Sequence, residues 1–91
     1  MSQVDDHIAA LAHMDGALAA MRAAVDVMSR ATEDAAGKLA ELWGTGNDVA
    51  GTVHGQMAAA KDHLDNLDKF LMGAQVEAVH AMLLFSRVAG T

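Results

Sequence analysis

The sequence contains no cysteine, no proline and no tyrosine, and aromatic residues make up only 3% of it. Without cysteine the chain cannot form disulfide bonds, a thiol nucleophile or a cysteine-ligated zinc site. The scarcity of aromatic and β-branched residues disfavours strands. Alanine is the commonest residue, and Leu, Val and Met are the main larger apolar side chains, so the 91-residue chain has the composition of one helical domain.

Positive charge is also scarce, since the chain carries a formal net charge of −6. An acidic surface repels nucleic acid and anionic membranes, so neither is an expected partner. The first residues, MSQVDDHIAALAH, lack the basic region of a cleavable signal peptide. The most apolar stretch, residues 70–85, is interrupted by Gln75, Glu77 and His80 and is shorter than the roughly 20 residues of a membrane-spanning helix. We therefore expect a soluble protein without a membrane span.

Apolar residues alternate at spacings of three and four through both halves of the chain, which indicates two amphipathic helices. Between the halves lies WGTGN, where Gly44 suits a helix end. The pattern predicts a single helical hairpin with helix 1 over about 3–43, a turn at 44–47 and helix 2 over about 48–89. Gly51 and Gly55 weaken the first turns of helix 2, so firm helix is expected only from near Gln56. The fold class is all-α, and the short turn makes the two helices antiparallel.

A two-helix hairpin has too little interior to be stable alone, so the sequence predicts dimerisation into a four-helix bundle. The heptad residues expected at the dimer interface share an apolar character and fall on both helices: Leu11, Met14, Leu18, Met21, Val25, Met28, Leu64, Leu67, Leu71 and Phe85. Its methionines fit either an ordinary core or an interface that adapts to different partners.

The C-terminal half of helix 2 has a second apolar stripe in addition to its heptad residues. The stripe consists of Met72, Val76, Val79, Met82 and Leu83. One neighbouring helix cannot cover both faces, so this part of helix 2 is expected to contact two neighbours.

Catalytic and metal chemistry find little support in the sequence, and we expect a non-enzymatic protein without a cofactor. Ser29 and Ser86 have no histidine partner at helical spacing. Glu77 and His80 form one Glu-x-x-His step, which is half of the signature of di-iron helical bundles. They are the candidate ligands if the chain is a ferritin-like metal-binding bundle, but surface positions are the favoured interpretation.

The length, the hairpin pattern and the central KLAELWGTG segment resemble the WXG-motif, early-secreted-antigen-like (Esx-type) family of type VII secretion. In that family the motif is Trp-x-Gly, whereas Thr45 here occupies the glycine position between Gly44 and Gly46. The family's tyrosine-containing export signal also has no counterpart. The resemblance implies that Trp43, Gly44, Thr45 and Gly46 form a targeting surface at the turn. Alternatively, Trp43 only plugs the open end of the two-helix core.

The resemblance implies a type VII secretion substrate, chaperone or targeting partner that acts by helical dimerisation and protein recognition. Its expected partners are a second copy or another WXG-like hairpin, and beyond these a larger secreted protein or a secretion ATPase. Its expected location is outside the cell without signal cleavage, or the cytoplasm before export. The alternatives are the metal-binding bundle and a plain oligomerisation module.

Overall fold

The chain forms two long helices, as the sequence predicted. The structure is a computed structural model, and it describes residues 3–43 and 48–90. Helix α1 spans Gln3–Trp43 and helix α2 spans Asp48–Ala89, with no strand in these residues. The prediction of an all-helical two-helix hairpin is confirmed to this extent. The predicted turn residues Gly44, Thr45 and Gly46 lie outside the described residues.

Helix α2 is regular from its first residue, so the prediction that firm helix begins only near Gln56 is wrong. The Thr52 hydroxyl donates a hydrogen bond of 3.0 Å to the Asp48 carbonyl in the first turns. Ala50 is completely buried there. Asp48 also places a negative charge at the helix N-terminus, where the helix dipole favours it. These contributions offset the low helix propensity of Gly51 and Gly55.

The contacts divide the hairpin into two compact units, each made of one segment from each helix. Unit 1 combines Met1–Ala23 with Lys69–Thr91, and unit 2 is Ala24–Asp68. In unit 1 the His7 ring meets the Phe85 ring edge-on at a centroid distance of 5.1 Å, and Asp15 bonds with Gln75 further along both helices. The paired residue numbers rise on one helix as they fall on the other, so the two segments of unit 1 are antiparallel.

The buried apolar side chains are spaced by multiples of seven residues along each helix, which is the period of the predicted heptad pattern. Leu18 and Ala78 are buried in unit 1, and Val25 and Ala50 are buried in unit 2. Among the other predicted interface residues, those half-buried in the hairpin are Leu11, Leu64, Leu71 and Phe85. The exposed ones are Met14, Met21, Met28 and Leu67. One half of each predicted apolar face thus packs inside the hairpin, and the other half remains on its surface.

Unit 2 contains a salt bridge between its two helices, formed by Lys61 of α2 and Glu33 of α1. The hydrogen bond and charge of Lys61 lower the pKa of the Glu33 carboxyl, and Glu33 in turn raises the pKa of Lys61. On α1, Arg30 also pairs with Asp26 one turn earlier at 3.1 Å. All four side chains are well exposed to solvent, so the pairs are screened and contribute little individually.

The Lys61–Glu33 pair predicts a small, pH-dependent stabilisation of unit 2. Because the pKa of Glu33 is lowered in the folded chain, its contribution is present above the unfolded pKa and is lost as the pH falls through the folded value. The raised pKa of Lys61 removes the contribution only at strongly alkaline pH. Urea unfolding should therefore find Glu33→Gln slightly less stable than the wild type at pH 7, with a difference that shrinks as the pH is lowered below about 4. A stability difference that persists at acid pH or in 1 M salt would contradict this.

Candidate recognition surfaces

Trp43 lies at the end of α1 and remains largely accessible to solvent. Its side chain is 52% exposed, and Leu42 beside it and Val49 in the first turn of α2 are more exposed still. All three belong to unit 2. A tryptophan that served only to plug the core would bury most of its ring, so the structure leaves much of this one free for another molecule. Large apolar side chains of this kind are where binding energy concentrates in protein interfaces.

A short hydrogen-bond network lies between the helices of unit 1. Arg22 of α1 donates a bond of 3.0 Å from Nη1 to Gln75 Oε1. Gln75 Nε2 donates to Asp15 Oδ1 at 3.2 Å and to the Asp15 carbonyl at 3.5 Å. One amide thus joins two charged residues that lie seven positions apart on α1. A network of this kind fixes the register of two helices, because a shift of one turn would leave its polar groups without partners.

Beside this network runs an open groove of about 600 Å³. Its floor includes Asp15, Arg22 and Gln75, and the exposed His80 of α2 lines its edge. Its apolar wall is Met72, Val76, Val79 and Leu83 of α2, all of them exposed. These four are members of the second apolar stripe that the sequence predicted for this part of α2. In the hairpin alone they have no covering neighbour.

A second groove of unit 1, of about 360 Å³, lies on the other flank of α1. It is lined mainly by His7, Ala10, Leu11, Ala81 and Phe85. The edge-on contact of the His7 and Phe85 rings forms part of it. His7 thus packs against an aromatic ring, although the residue itself remains exposed.

The candidate metal ligands are not gathered into a site. Glu77 and His80 are both exposed on α2. In residues 3–43 and 48–90, no group of three His, Asp or Glu side chains is placed to hold a metal ion. The Nε2 atom of His54 in unit 2 is buried without a hydrogen-bond partner, but no carboxylate or second histidine joins it in such a group.

By length and composition alone, α1 is apolar enough to cross a membrane, as core helices of soluble proteins and signal sequences also are. The sequence directed attention to residues 70–85 of α2 as the most apolar stretch, and not to α1. Helix α1 carries the charged residues Asp15 and Arg22, which pair with Gln75 of α2. Because the composition of α1 alone does not decide the question, the absence of a membrane span stays a prediction.

Comparison with protein-family models, with curated proteins and with solved structures gives no significant match to this chain. The resemblance to the WXG-motif family rests on the residues of the chain itself.

Proposed function

We propose that this chain is a non-enzymatic, WXG-like partner protein of type VII secretion. It dimerises into a four-helix bundle and presents the end of the hairpin around Trp43 to a larger protein. That protein is either a secretion ATPase or a larger secreted chain. In the second case the dimer accompanies the secreted chain as its chaperone or targeting partner. The dimer resides in the cytoplasm before export and outside the cell afterwards, without cleavage of a signal peptide.

The exposure of Trp43 is the observation that carries the targeting role. The sequence places the only tryptophan at the central break, and the structure keeps about half of its surface accessible. Leu42 before it and Val49 in the first turn of α2 are exposed as well. Burying such side chains against a partner is favourable because it removes apolar area from water at little cost in side-chain entropy. A purely structural oligomerisation module has no need to expose them.

The surface area of the chain supports dimerisation. The accessible surface is 6425 Å². A compact folded monomer of the same mass would expose about 5,000 Å². The surplus of about 1,400 Å² exceeds the roughly 800 Å² that each partner buries in an interface of standard size. One dimer interface per chain therefore fits the surplus and leaves apolar surface for a further partner.

Replacing Trp43 by alanine should abolish export while leaving the helices intact. The residue ends α1 and is half-exposed, so its loss removes little packing within the hairpin but removes the central anchor of the docking surface. In a bacterial host with a type VII system, the amount of Trp43→Ala protein in the medium should fall at least tenfold. Circular dichroism of the purified variant should show wild-type helix content.

Phe70→Ala is the matched control, because Phe70 is an even more exposed aromatic residue in unit 1. Its export should equal that of the wild type. If Trp43→Ala is exported as well as the wild type, the targeting role of this surface is wrong. If the wild-type chain itself never reaches the medium of such a host, the type VII assignment is wrong.

A further inference from the structure

We propose that the 600 Å³ groove of unit 1 binds a second copy of this chain and is the dimer interface. The proposal rests on the dimer in the proposed function and identifies the surface that forms it. The apolar wall of α2 in one copy packs against the alanine and glycine face of α1 in the other. The heptad methionines Met14, Met21 and Met28 then lie outside this interface, contrary to the sequence prediction.

The first argument is the character of the apolar wall. Met72, Val76, Val79 and Leu83 follow a spacing of four, three and four, which places them on one face of α2. Val76 is 61% exposed, the most of the four. Two of the four are valines, which lose little side-chain entropy when they are covered. No Asp, Glu, Lys or Arg lies on this face between the first and the last of them, and the exposed His80 at its edge is the one titratable residue of α2 in the groove lining.

The second argument is that the polar residues of the groove floor are already hydrogen-bonded to one another. Gln75 already bonds with Asp15 and with Arg22. The floor therefore requires no charged group from an occupant, and an apolar helix face can cover these three residues without leaving them unpaired, provided that His80 at the groove edge keeps contact with water. The same bonds hold the two helices of unit 1 in one register, so the groove is formed before any partner binds.

The third argument is that α1 carries a complementary surface beside the groove, at the same height along the hairpin as the apolar wall. Four small residues lie next to Asp15 and Arg22 on the groove side of α1, and they are again spaced by four, three and four. They are Ala12, Gly16, Ala19 and Ala23, and all are exposed. Gln75 bonds to α1 within this stretch, so the small face and the apolar wall run side by side. A two-fold rotation then packs the apolar wall of each copy against the small residues on α1 of the other copy.

The opposite flank of unit 1 suits a second copy less well. On that flank of α2, Phe70 and Leu84 are exposed, and Glu77 lies midway between them at heptad spacing. A dimer through this flank would have to cover an exposed carboxylate near its centre. The long, flexible side chains of Met14 and Met21 on α1 would also lose more entropy on burial than the valines of the groove.

The test is the mass of Gly16→Leu in solution, because Gly16 lies in the middle of the small face. A Cβ atom at this position would meet nothing within 4 Å in the hairpin, so the monomer accepts a larger residue there. Leucine is also the better helix former. In sedimentation equilibrium, Gly16→Leu should dissociate at least tenfold more readily than the wild type, with unchanged helix content by circular dichroism.

Gly37→Leu is the matched control, since Gly37 lies three heptads further along α1, in unit 2, and its Cβ position is equally open. Its dimer should be as tight as that of the wild type. A second pair repeats the test from α2, where Val79→Lys should dissociate the dimer and Phe70→Lys should not.

Four results would overturn the proposal. The first three are a wild-type monomer, a Gly16→Leu dimer of wild-type affinity, and equal dissociation of Gly16→Leu and Gly37→Leu. The fourth is dissociation by a lysine at Met21 but not at Val79, because it would assign the dimer to the methionine face. The proposed function is tested separately by Trp43. If Gly16→Leu dissociates the dimer but Trp43→Ala is still exported, this interface stands and the targeting role does not.

Discussion

Leu18→Ala should lower the free energy of unfolding by about 2–4 kcal/mol, as for other leucines whose truncation leaves a cavity. Leu18 is only 8% exposed and is one of the four buried apolar residues in the described part of the chain. Small domains are stable by only about 5–15 kcal/mol, so this loss is a large fraction of the total. Chemical denaturation at a fixed protein concentration measures it, because the stability of a dimer depends on concentration.

Met21→Ala is the control for Leu18→Ala. The sequence pattern placed both residues on one packing face, but the structure leaves Met21 48% exposed. Its truncation should change the free energy of unfolding by less than about 1 kcal/mol. Equal losses in the two variants would mean that the methionines are buried in solution, and the packing face described here would then be wrong.

Ala78→Leu should be destabilising by about 2–3 kcal/mol, because it inserts three carbon atoms where the helices of unit 1 pack closely. Ala78 is 2% exposed on the face of α2 that packs inside the hairpin. A larger side chain there must either adopt a strained rotamer or force the two helices apart. The thermal unfolding midpoint of the variant should fall by about 8–24 °C, because each 1 kcal/mol lowers it by about 4–8 °C in a domain of this size.

Ala20→Leu makes the same chemical change on an exposed position of α1 in unit 1 and should leave the midpoint nearly unchanged. A higher midpoint for Ala78→Leu than for the wild type would show that the leucine fills empty space. The close approach of the helices at Ala78 would then be incorrect.

The two helices could be predicted from the sequence because their signals are local. An alanine-rich chain without proline, with one glycine-rich break after Trp43, has few alternatives to a helical hairpin. The error at the start of α2 arose because helix propensity was weighed without tertiary packing. The complete burial of Ala50 shows that packing stabilises turns that Gly51 and Gly55 would otherwise weaken.

The heptads alone could not predict which side of each helix packs against the other helix. Methionine and leucine are equally apolar in such a pattern, and Asp15 and Arg22 look like surface charges. Gln75 of α2 reaches both charges and pairs with them between the helices. The signal available in the sequence was Gln75 itself, a lone polar amide in the most apolar stretch of the chain. Its partners, 53 and 60 residues away, are set by the fold.

The candidate site was predicted in part. Trp43 was identified from its position at the break, and the widened apolar stripe of α2 was identified from its spacing. The small face of α1 around Gly16 was missed, because alanine and glycine are common throughout this chain and form a surface only beside a neighbouring groove. The role of Thr45 at the motif position stays a prediction, since that residue lies outside the described part of the chain.

Self-association is the central claim of this account, and the mass of the purified wild-type protein tests it most directly. Light scattering behind a sizing column, with circular dichroism on the same fraction, should find a highly helical species at twice the chain mass of 9.5 kDa. A species of single-chain mass that keeps full helix content over a wide range of concentration would contradict the account, because the hairpin would then be stable without covering its exposed apolar faces.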